Sequence, residues 1–181
     1  MNCKHLVLAL STMALMSQPA LAEDTPVGTT TISFSPVHLA IGIFEAAAEF
    51  RFNEAVSLTL IGGAGSVEMV TGEKVFVYEA GLQARYYADD FEGPHAGFEA
   101  VMLRASLEDG ESLSSTADGI AMGPLLGWKF VLDSGLTFDL QGGYQFLVGT
   151  AEAEDSESGE TATDANSTTV VLVNINVGWT F

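Results

Sequence analysis

The sequence contains little cysteine, few basic residues and no long apolar run after its first 22 residues. Its single cysteine, Cys3, lies near the N-terminus, which excludes disulfides and thiolate metal sites from the rest of the chain. Only six Lys and Arg stand against 24 Asp and Glu, and this balance argues against nucleic-acid binding. No later stretch approaches the ~18 to 20 unbroken apolar residues of a transmembrane helix. Hydrophobic residues nevertheless make up 48% of the chain, so they must be distributed over shorter elements.

Residues 1–22 show the three-part pattern of a secretory signal peptide. Residues 1–5 form a basic n-region, Leu6–Met16 form an apolar h-region, and Ala20–Ala22 form a small-x-small cleavage site. We therefore predict a mature chain that begins at Glu23 and forms one domain over residues 23–181. This mature chain carries five basic and 24 acidic residues, a net charge of −19.

The C-terminal segment Thr169–Phe181 alternates strictly between two kinds of residue. One face is apolar: Val171, Val173, Ile175, Val177, Trp179 and Phe181. The other face carries Asn174, Asn176, Gly178 and Thr180. An apolar face that ends in an aromatic residue is typical of a strand that contacts lipid and ends at the membrane interface.

The same alternation predicts eight strands and no helix. The predicted strands are Thr30–Leu39 (interrupted by Pro36), Ile43–Phe52, Val56–Ser66, Val75–Ala88, Ala96–Leu107, Ile120–Leu132, Leu136–Thr150 and Thr169–Phe181. Short connections alternate with longer polar ones at Val67–Lys74, Glu108–Gly119 and Ala151–Thr168, as in barrels with short periplasmic turns and long external loops. The sequence therefore predicts an all-β fold, an eight-stranded antiparallel up-and-down transmembrane β-barrel.

The two faces of these strands differ in bulk and in polarity. The bulky apolar face would overfill an eight-stranded barrel, so we expect it to point outward into lipid. The opposite face must then enclose charges that pair with one another, because isolated buried charge is costly. We predict a lumen charge network made of Glu45, Glu49, Arg51, Glu79, Arg85, Glu99, Lys129 and Asp139.

The last long connection, Ala151–Ser167, is acidic and has no basic residue. Its acids are Glu152, Glu154, Asp155, Glu157, Glu160 and Asp164. Repulsion and low hydrophobicity predict a solvated, mobile external loop. The loop lacks the ligand spacing of a calcium site, and we predict no metal there.

Catalytic signals are weak. His38 and His95 belong to no recognisable triad or metal spacing, and we expect both in solvated turns or at the interface. Ser35 is the nucleophile nearest to His38, but three residues apart on a strand the two side chains would point to opposite faces. We predict no catalytic site and no cofactor.

Over the whole mature chain, the sequence resembles the small OmpA/OmpX-like families of bacterial outer-membrane β-barrels. The resemblance rests on Ala20–Ala22, the alternating strands, the asymmetric connections and the C-terminal Val177–Phe181. It implies a Gram-negative outer-membrane location, contact with outer-membrane lipid, and insertion by the barrel-assembly machinery with periplasmic chaperones. The resemblance also implies that Trp179 and Phe181 of this chain form the assembly signal.

These observations predict a structural or surface-interaction protein, not an enzyme, with a largely plugged polar lumen and acidic external loops that contact an external ligand. A narrow pore for ions or small solutes is the alternative, because charges could also line a conducting path. An outer-membrane lipid-modifying enzyme is a third and weaker hypothesis.

Overall fold

The computed structural model describes residues 28–68, 74–89, 91–109, 113–155 and 161–181. Its elements are β1 (Thr30–Phe34), α1 (Pro36–Ala40), β2 (Ile43–Arg51), β3 (Val56–Glu68), β4 (Lys74–Asp89), β5 (Glu92–Asp109), β6 (Leu113–Val131), β7 (Leu136–Asp155) and β8 (Thr161–Thr180). The predicted signal peptide, residues 1–22, lies outside the described residues. Within the described ranges, no helix has the length and apolar character needed to cross a membrane.

The eight strands form one antiparallel closed barrel in chain order, because each strand pairs with its sequence neighbours and β1 pairs with β8. The predicted all-β, up-and-down arrangement of eight strands is confirmed. The period of 2 governs burial: Gln83, Arg85 and Tyr87 on β4 are buried, whereas Ala84 and Tyr86 between them are exposed. Alternate side chains therefore point into and out of the barrel.

One end of the barrel, which we call the short-turn end, carries the connections β2–β3, β4–β5 and β6–β7. In the first of these connections, Asn53 Oδ1 accepts hydrogen bonds from the backbone N–H groups of Ala55 and Val56, each at 2.9 Å. In the third, Gly135 has a φ of +87°, a conformation that glycine adopts without steric cost. These local features make the chain turn tightly. We call the opposite end the long-strand end.

The first predicted strand, Thr30–Leu39, is wrong in its second half, and so is the prediction that no segment is helical. β1 ends at Phe34, and Ser35 is the N-cap of α1. The Ser35 hydroxyl accepts a hydrogen bond from the backbone N–H of His38 at 3.2 Å, and Pro36 occupies the first helical turn. A serine cap followed by proline is a helix-start signal, because proline needs no donor there and has a preset φ.

The long polar connections are shorter in the structure than the sequence predicts. β7 continues to Asp155 and β8 begins at Thr161, so most of the predicted mobile loop is paired strand. The expected repulsion fails because the register places acids opposite neutral residues: Glu152 pairs with Thr163, and Asp164 with Ala151. Residues 156–160, which include Glu157 and Glu160, lie outside the described residues.

β1 is much shorter than its neighbour β8. Only Thr31–Phe34 pairs with Val177–Thr180, and we call this pairing the seam. On the long-strand side of the seam, α1 packs against both β2 and β8. The helix therefore occupies the place where a longer β1 would continue the wall of the barrel.

Candidate functional site

The outer wall of the barrel is bulky and apolar. Large hydrophobic side chains on every strand are exposed, among them Ile32, Phe44, Leu60, Leu82, Phe98, Met102, Leu126, Leu140, Tyr144, Val171 and Val173. The aromatic residues Phe50, Phe52, Tyr86, Phe130, Phe138, Trp179 and Phe181 are exposed toward the short-turn end. A water-soluble barrel would show the reverse arrangement, with polar groups outside and apolar groups inside.

A charge network crosses the lumen in the half nearest the short-turn end. Glu49 Oε2 lies 2.9 Å from Lys129 Nζ and 3.2 Å from an Arg85 nitrogen. The same Arg85 nitrogen lies 2.8 Å from Asp139 Oδ2. Lys129 also donates to the Thr31 hydroxyl at 2.8 Å. All of these side chains are buried, and two cations balance two carboxylates, which offsets the cost of desolvating them.

Amide side chains extend this network toward the middle of the barrel. Gln141 Nε2 donates to Asp139 at 2.6 Å, and Gln83 Nε2 donates to Glu99 at 2.6 Å and to Gln141 at 3.2 Å. Gln145 donates to the second oxygen of Glu99. Together, the ion pairs and the amide contacts join six of the eight strands through buried side chains. The network therefore fills the lumen in addition to neutralising its buried charges.

An aromatic floor closes the lumen below the charges. Phe91, in the β4–β5 turn, is fully buried although its φ is +65°, a costly conformation for a residue with a side chain. Its ring lies 5.4 Å from that of Tyr87, whose hydroxyl donates to Glu49 at 2.6 Å. His95 is also buried, 5.0 Å from the Tyr87 ring. The prediction that His95 is solvated is therefore wrong.

Sequence reasoning missed Tyr87, Phe91 and His95 for two different reasons. Tyr87 has the same parity as Arg85, and His95 the same parity as Glu99, so extending the alternation by one step would have placed both inside. The predicted strand Val75–Ala88 includes Tyr87, but the prediction did not place this residue in the lumen. The predicted strand Ala96–Leu107 begins one residue too late to include His95. Phe91 lies in a turn, where side chains do not alternate between the two faces of a sheet. No feature of the local sequence therefore predicts that it is buried.

A second cluster lies higher in the lumen, toward the long-strand end. His38 Nδ1, on α1, lies 2.9 Å from Glu45 Oε2 on β2. The side chain of Glu79, on β4, completes the group, and one potential ligand atom from each residue lies within 4.8 Å of the other two. Glu45 is 6% exposed. His38 was predicted in a solvated turn or at the interface. Instead, α1 turns its imidazole toward the lumen, where Nδ1 is buried beside Glu45.

Two polar residues hold the first members of this cluster in place. Asn174 Nδ2 on β8 donates to Glu45 Oε1 at 3.2 Å, and Ser35 Oγ donates to Asn174 Oδ1 at 2.6 Å. Because the same Ser35 oxygen caps α1 at the backbone of His38, one hydroxyl positions both the helix and the amide. The cluster is thus supported by α1, β2 and β8 together.

Above this cluster, toward the long-strand end, the inner face becomes apolar. Two adjoining cavities of about 330 and 460 Å³ open there, which we call the vestibule. Its lining includes Val75, Val77, Leu103, Ala105, Ala117 and Leu147. Asp164, on the inward face of β8, belongs to the lining of both cavities, so the vestibule has aliphatic walls and an acidic residue among them.

Three further predicted site residues, Arg51, Glu154 and Asp155, lie at the ends of strands. Arg51 is at the end of β2, half-buried, with its guanidinium carbon 5.8 Å from the Phe91 ring centre and its Nε donating to the Asn53 carbonyl. Glu154 and Asp155 belong to β7. Arg104 lies on the outer face, 3.5 Å from Asp118, with both side chains more than half exposed.

The Ser35–His38 pair does not form a nucleophile and its base. The Ser35 hydroxyl contacts the backbone of His38, and it donates its proton to Asn174, while the imidazole faces Glu45. A catalytic pair would need the imidazole nitrogen within hydrogen-bond reach of the hydroxyl. The geometry thus assigns Ser35 a capping and positioning role.

No family model, curated protein or solved structure matches this chain. Function is therefore inferred from the wall, the lumen and the cluster.

Proposed function

We propose that this protein is an outer-membrane β-barrel that is closed to ion flow and acts as a structural or surface-interaction protein. The outer wall carries the proposal. Exposed Phe, Leu, Val, Met and Trp side chains surround every strand, whereas water-soluble monomers rarely expose contiguous apolar patches above a few hundred Å². Acyl chains are the solvent that suits such a wall, and the aromatic residues at the short-turn end would lie at its interface.

The plugged lumen argues against a pore. Glu49, Arg85, Lys129 and Asp139 pair with one another across the barrel, and the rings of Phe91 and Tyr87 fill the space below them. An ion would have to break several buried charge-assisted contacts to pass. A barrel of eight strands has an interior that side chains can fill completely, so no separate plug domain is needed.

The vestibule supports the surface-interaction part of the proposal. In this proposal the short-turn end faces the periplasm, and the vestibule and the long strands face the exterior. Aliphatic walls with the carboxylate of Asp164 among them suit a small apolar or amphiphilic ligand that carries positive charge. Insertion by the barrel-assembly machinery and periplasmic chaperones, with Trp179 and Phe181 as the assembly signal, belongs to the same proposal.

Planar-bilayer recordings of the refolded mature chain test closure directly. We expect insertion without steady conductance, because the charge network fills the lumen. A steady open level in the unaltered protein would favour the pore. A mature chain that stays folded and monomeric in buffer without detergent would contradict the membrane assignment altogether.

A further inference from the structure

We propose that His38, Glu45 and Glu79 form a binding site for one divalent transition-metal ion, with Zn²⁺ as a suitable occupant. The site would draw its ligands from three elements, namely α1, β2 and β4. It goes beyond the proposed function, since metal binding needs neither conduction nor a surface partner. The sequence did not point to it, because the three residues have no recognisable metal-ligand spacing in the chain.

Two of the proposed ligand atoms make no hydrogen bond of good geometry. His38 Nδ1 and Glu79 Oε1 are both buried, and neither has a hydrogen-bond partner within the described residues. His38 Nδ1 lies 2.9 Å from Glu45 Oε2, a distance at which the two groups form an ion pair when the imidazole is protonated. Two ligand atoms that each lie ~2.0–2.2 Å from one tetrahedral zinc ion are about 3.3–3.6 Å apart, so these two side chains would have to separate only slightly to hold the ion.

The cluster holds two carboxylates, and His38 is the one member that can carry a positive charge. Lower in the lumen, Arg85 and Lys129 are engaged by Glu49 and Asp139. Among the contacts of the described residues, neither cation reaches Glu45 or Glu79. Two carboxylates that face one another in a partly desolvated space repel, and either a shared proton or a metal ion relieves this repulsion.

The chemistry of the donors favours a transition metal over calcium. One imidazole nitrogen with two carboxylate oxygens suits Zn²⁺ and its neighbours in the first row, whereas Ca²⁺ requires six to eight oxygen ligands. Three protein ligands would leave a coordination position for water. The His38 side chain is 24% exposed, so an ion can enter from the solvent side.

A supporting shell of the kind that metal sites use is already present. Asn174 donates to the Glu45 oxygen opposite the one near His38, which would orient the free oxygen toward the ion. Ser35 holds Asn174 and the backbone of His38 at once. A bound ion would then tie α1 to β2 and β4 where β1 no longer extends the wall.

The test is a Zn²⁺ titration of the mature barrel in detergent micelles, after treatment with a chelator and at ~0.15 M salt to screen diffuse binding to the acidic surface. We expect one tightly bound Zn²⁺ per chain. His38→Gln and Glu79→Gln should each weaken its affinity by at least about 100-fold, since each removes a ligand, and Asn174→Ala by about 10–100-fold through lost positioning. Co²⁺ in place of Zn²⁺ should give a visible absorption band that His38→Gln abolishes.

His95→Gln is the matched control, because His95 is also a buried histidine of the lumen but lies outside the cluster. It should leave both the affinity and the Co²⁺ band unchanged. Equal Zn²⁺ affinity in the unaltered protein, His38→Gln and His95→Gln would overturn the proposal and assign the binding to surface acids. A folded unaltered protein that binds no Zn²⁺, Mn²⁺ or Co²⁺ would also overturn it, in favour of a shared proton. If His38→Gln does not fold, the Zn²⁺ affinity of Asn174→Ala and the Co²⁺ band of the unaltered protein provide the test. An unchanged affinity in Asn174→Ala together with no Co²⁺ band would then overturn the proposal.

Discussion

The Lys129 ammonium lies 3.5 Å from the centre of the Phe91 ring. Lys129 Nζ also lies 2.9 Å from Glu49, and both Lys129 and Phe91 are buried. The ring supplies a face for a cation that has lost its water, an interaction that strengthens when the cation is desolvated. The contact joins the aromatic floor to the charge network. A substitution in one of them should therefore also destabilise the other.

Replacing Phe91 tests the aromatic floor. Phe91→Ala should lower the free energy of unfolding by about 3–5 kcal/mol, because it empties a buried space. Phe91→Gly should be less destabilising than Phe91→Ala by about 1 kcal/mol, because glycine accepts the positive φ without strain. Urea unfolding in lipid or detergent measures both values, and an alanine variant at least as stable as the glycine variant would argue against a strained turn.

Removing one buried cation should cost far more than removing an exposed one. Lys129→Met should lower the free energy of unfolding by about 3–5 kcal/mol, because Glu49 loses a partner inside the barrel. Arg104→Met is the control, since the Arg104–Asp118 pair is exposed, and it should cost less than about 1 kcal/mol. Similar losses in both variants, measured by the same urea unfolding, would show that the lumen is wet.

A charged substitution on the outer wall reports on the surrounding solvent. Leu82 is 52% exposed and lies between Tyr78 and Tyr86 on the outer face of β4. Leu82→Arg should destabilise the lipid-inserted barrel by about 2–4 kcal/mol, whereas Phe52→Arg, at the short-turn end, should cost about 0–1 kcal/mol. The measurement is unfolding from lipid vesicles. A neutral effect at Leu82 would mean that the wall faces water.

Glycine packing at the seam gives a fourth prediction. A Cβ on Gly178 would clash with the Ile32 carbonyl and lie 2.6 Å from the Ser33 Cα, so Gly178→Ala should cost about 1–3 kcal/mol. A Cβ on Gly142 would meet nothing closer than the Leu172 carbonyl at 3.8 Å, and Gly142→Ala should change stability by less than about 0.5 kcal/mol. Equal melting temperatures for the two variants would show that the seam is not closed as described.

Much of the barrel could be predicted from alternation alone, because successive residues of a strand point to opposite faces of the sheet and differ in polarity accordingly. The seven strands from β2 to β8 begin or end within a few residues of prediction at the short-turn end. At the long-strand end, β2 to β5 also agree with the prediction to within two residues. There β6, β7 and β8 extend further than predicted, because acids such as Glu152 and Asp164 were taken as signs of a loop. Their cross-strand partners are neutral, and a partner across a sheet cannot be identified from local composition.

The candidate site could be predicted only in part, for a similar reason. Glu45 and Glu79 have the parity of inward residues, and the alternation indicates that directly. His38 reaches them only because Ser35 and Pro36 begin a helix in place of the expected strand. The contacts among inward residues depend on how strands distant in sequence are placed around the barrel. That placement is set by closure of the barrel and cannot be read from any local segment.

The seam also sets an order of assembly. Its Thr31–Thr180 hydroxyl contact joins residues 149 positions apart in the chain, whereas every other strand pair is a hairpin between neighbours. Ring closure therefore carries the largest entropy cost of any pairing and should come last. Until it forms, the edges of β1 and β8 offer unpaired backbone groups that could recruit another chain and aggregate. The pairing of the short strand β1 with β8 therefore determines how long the unfolded or partly folded protein must be protected from aggregation.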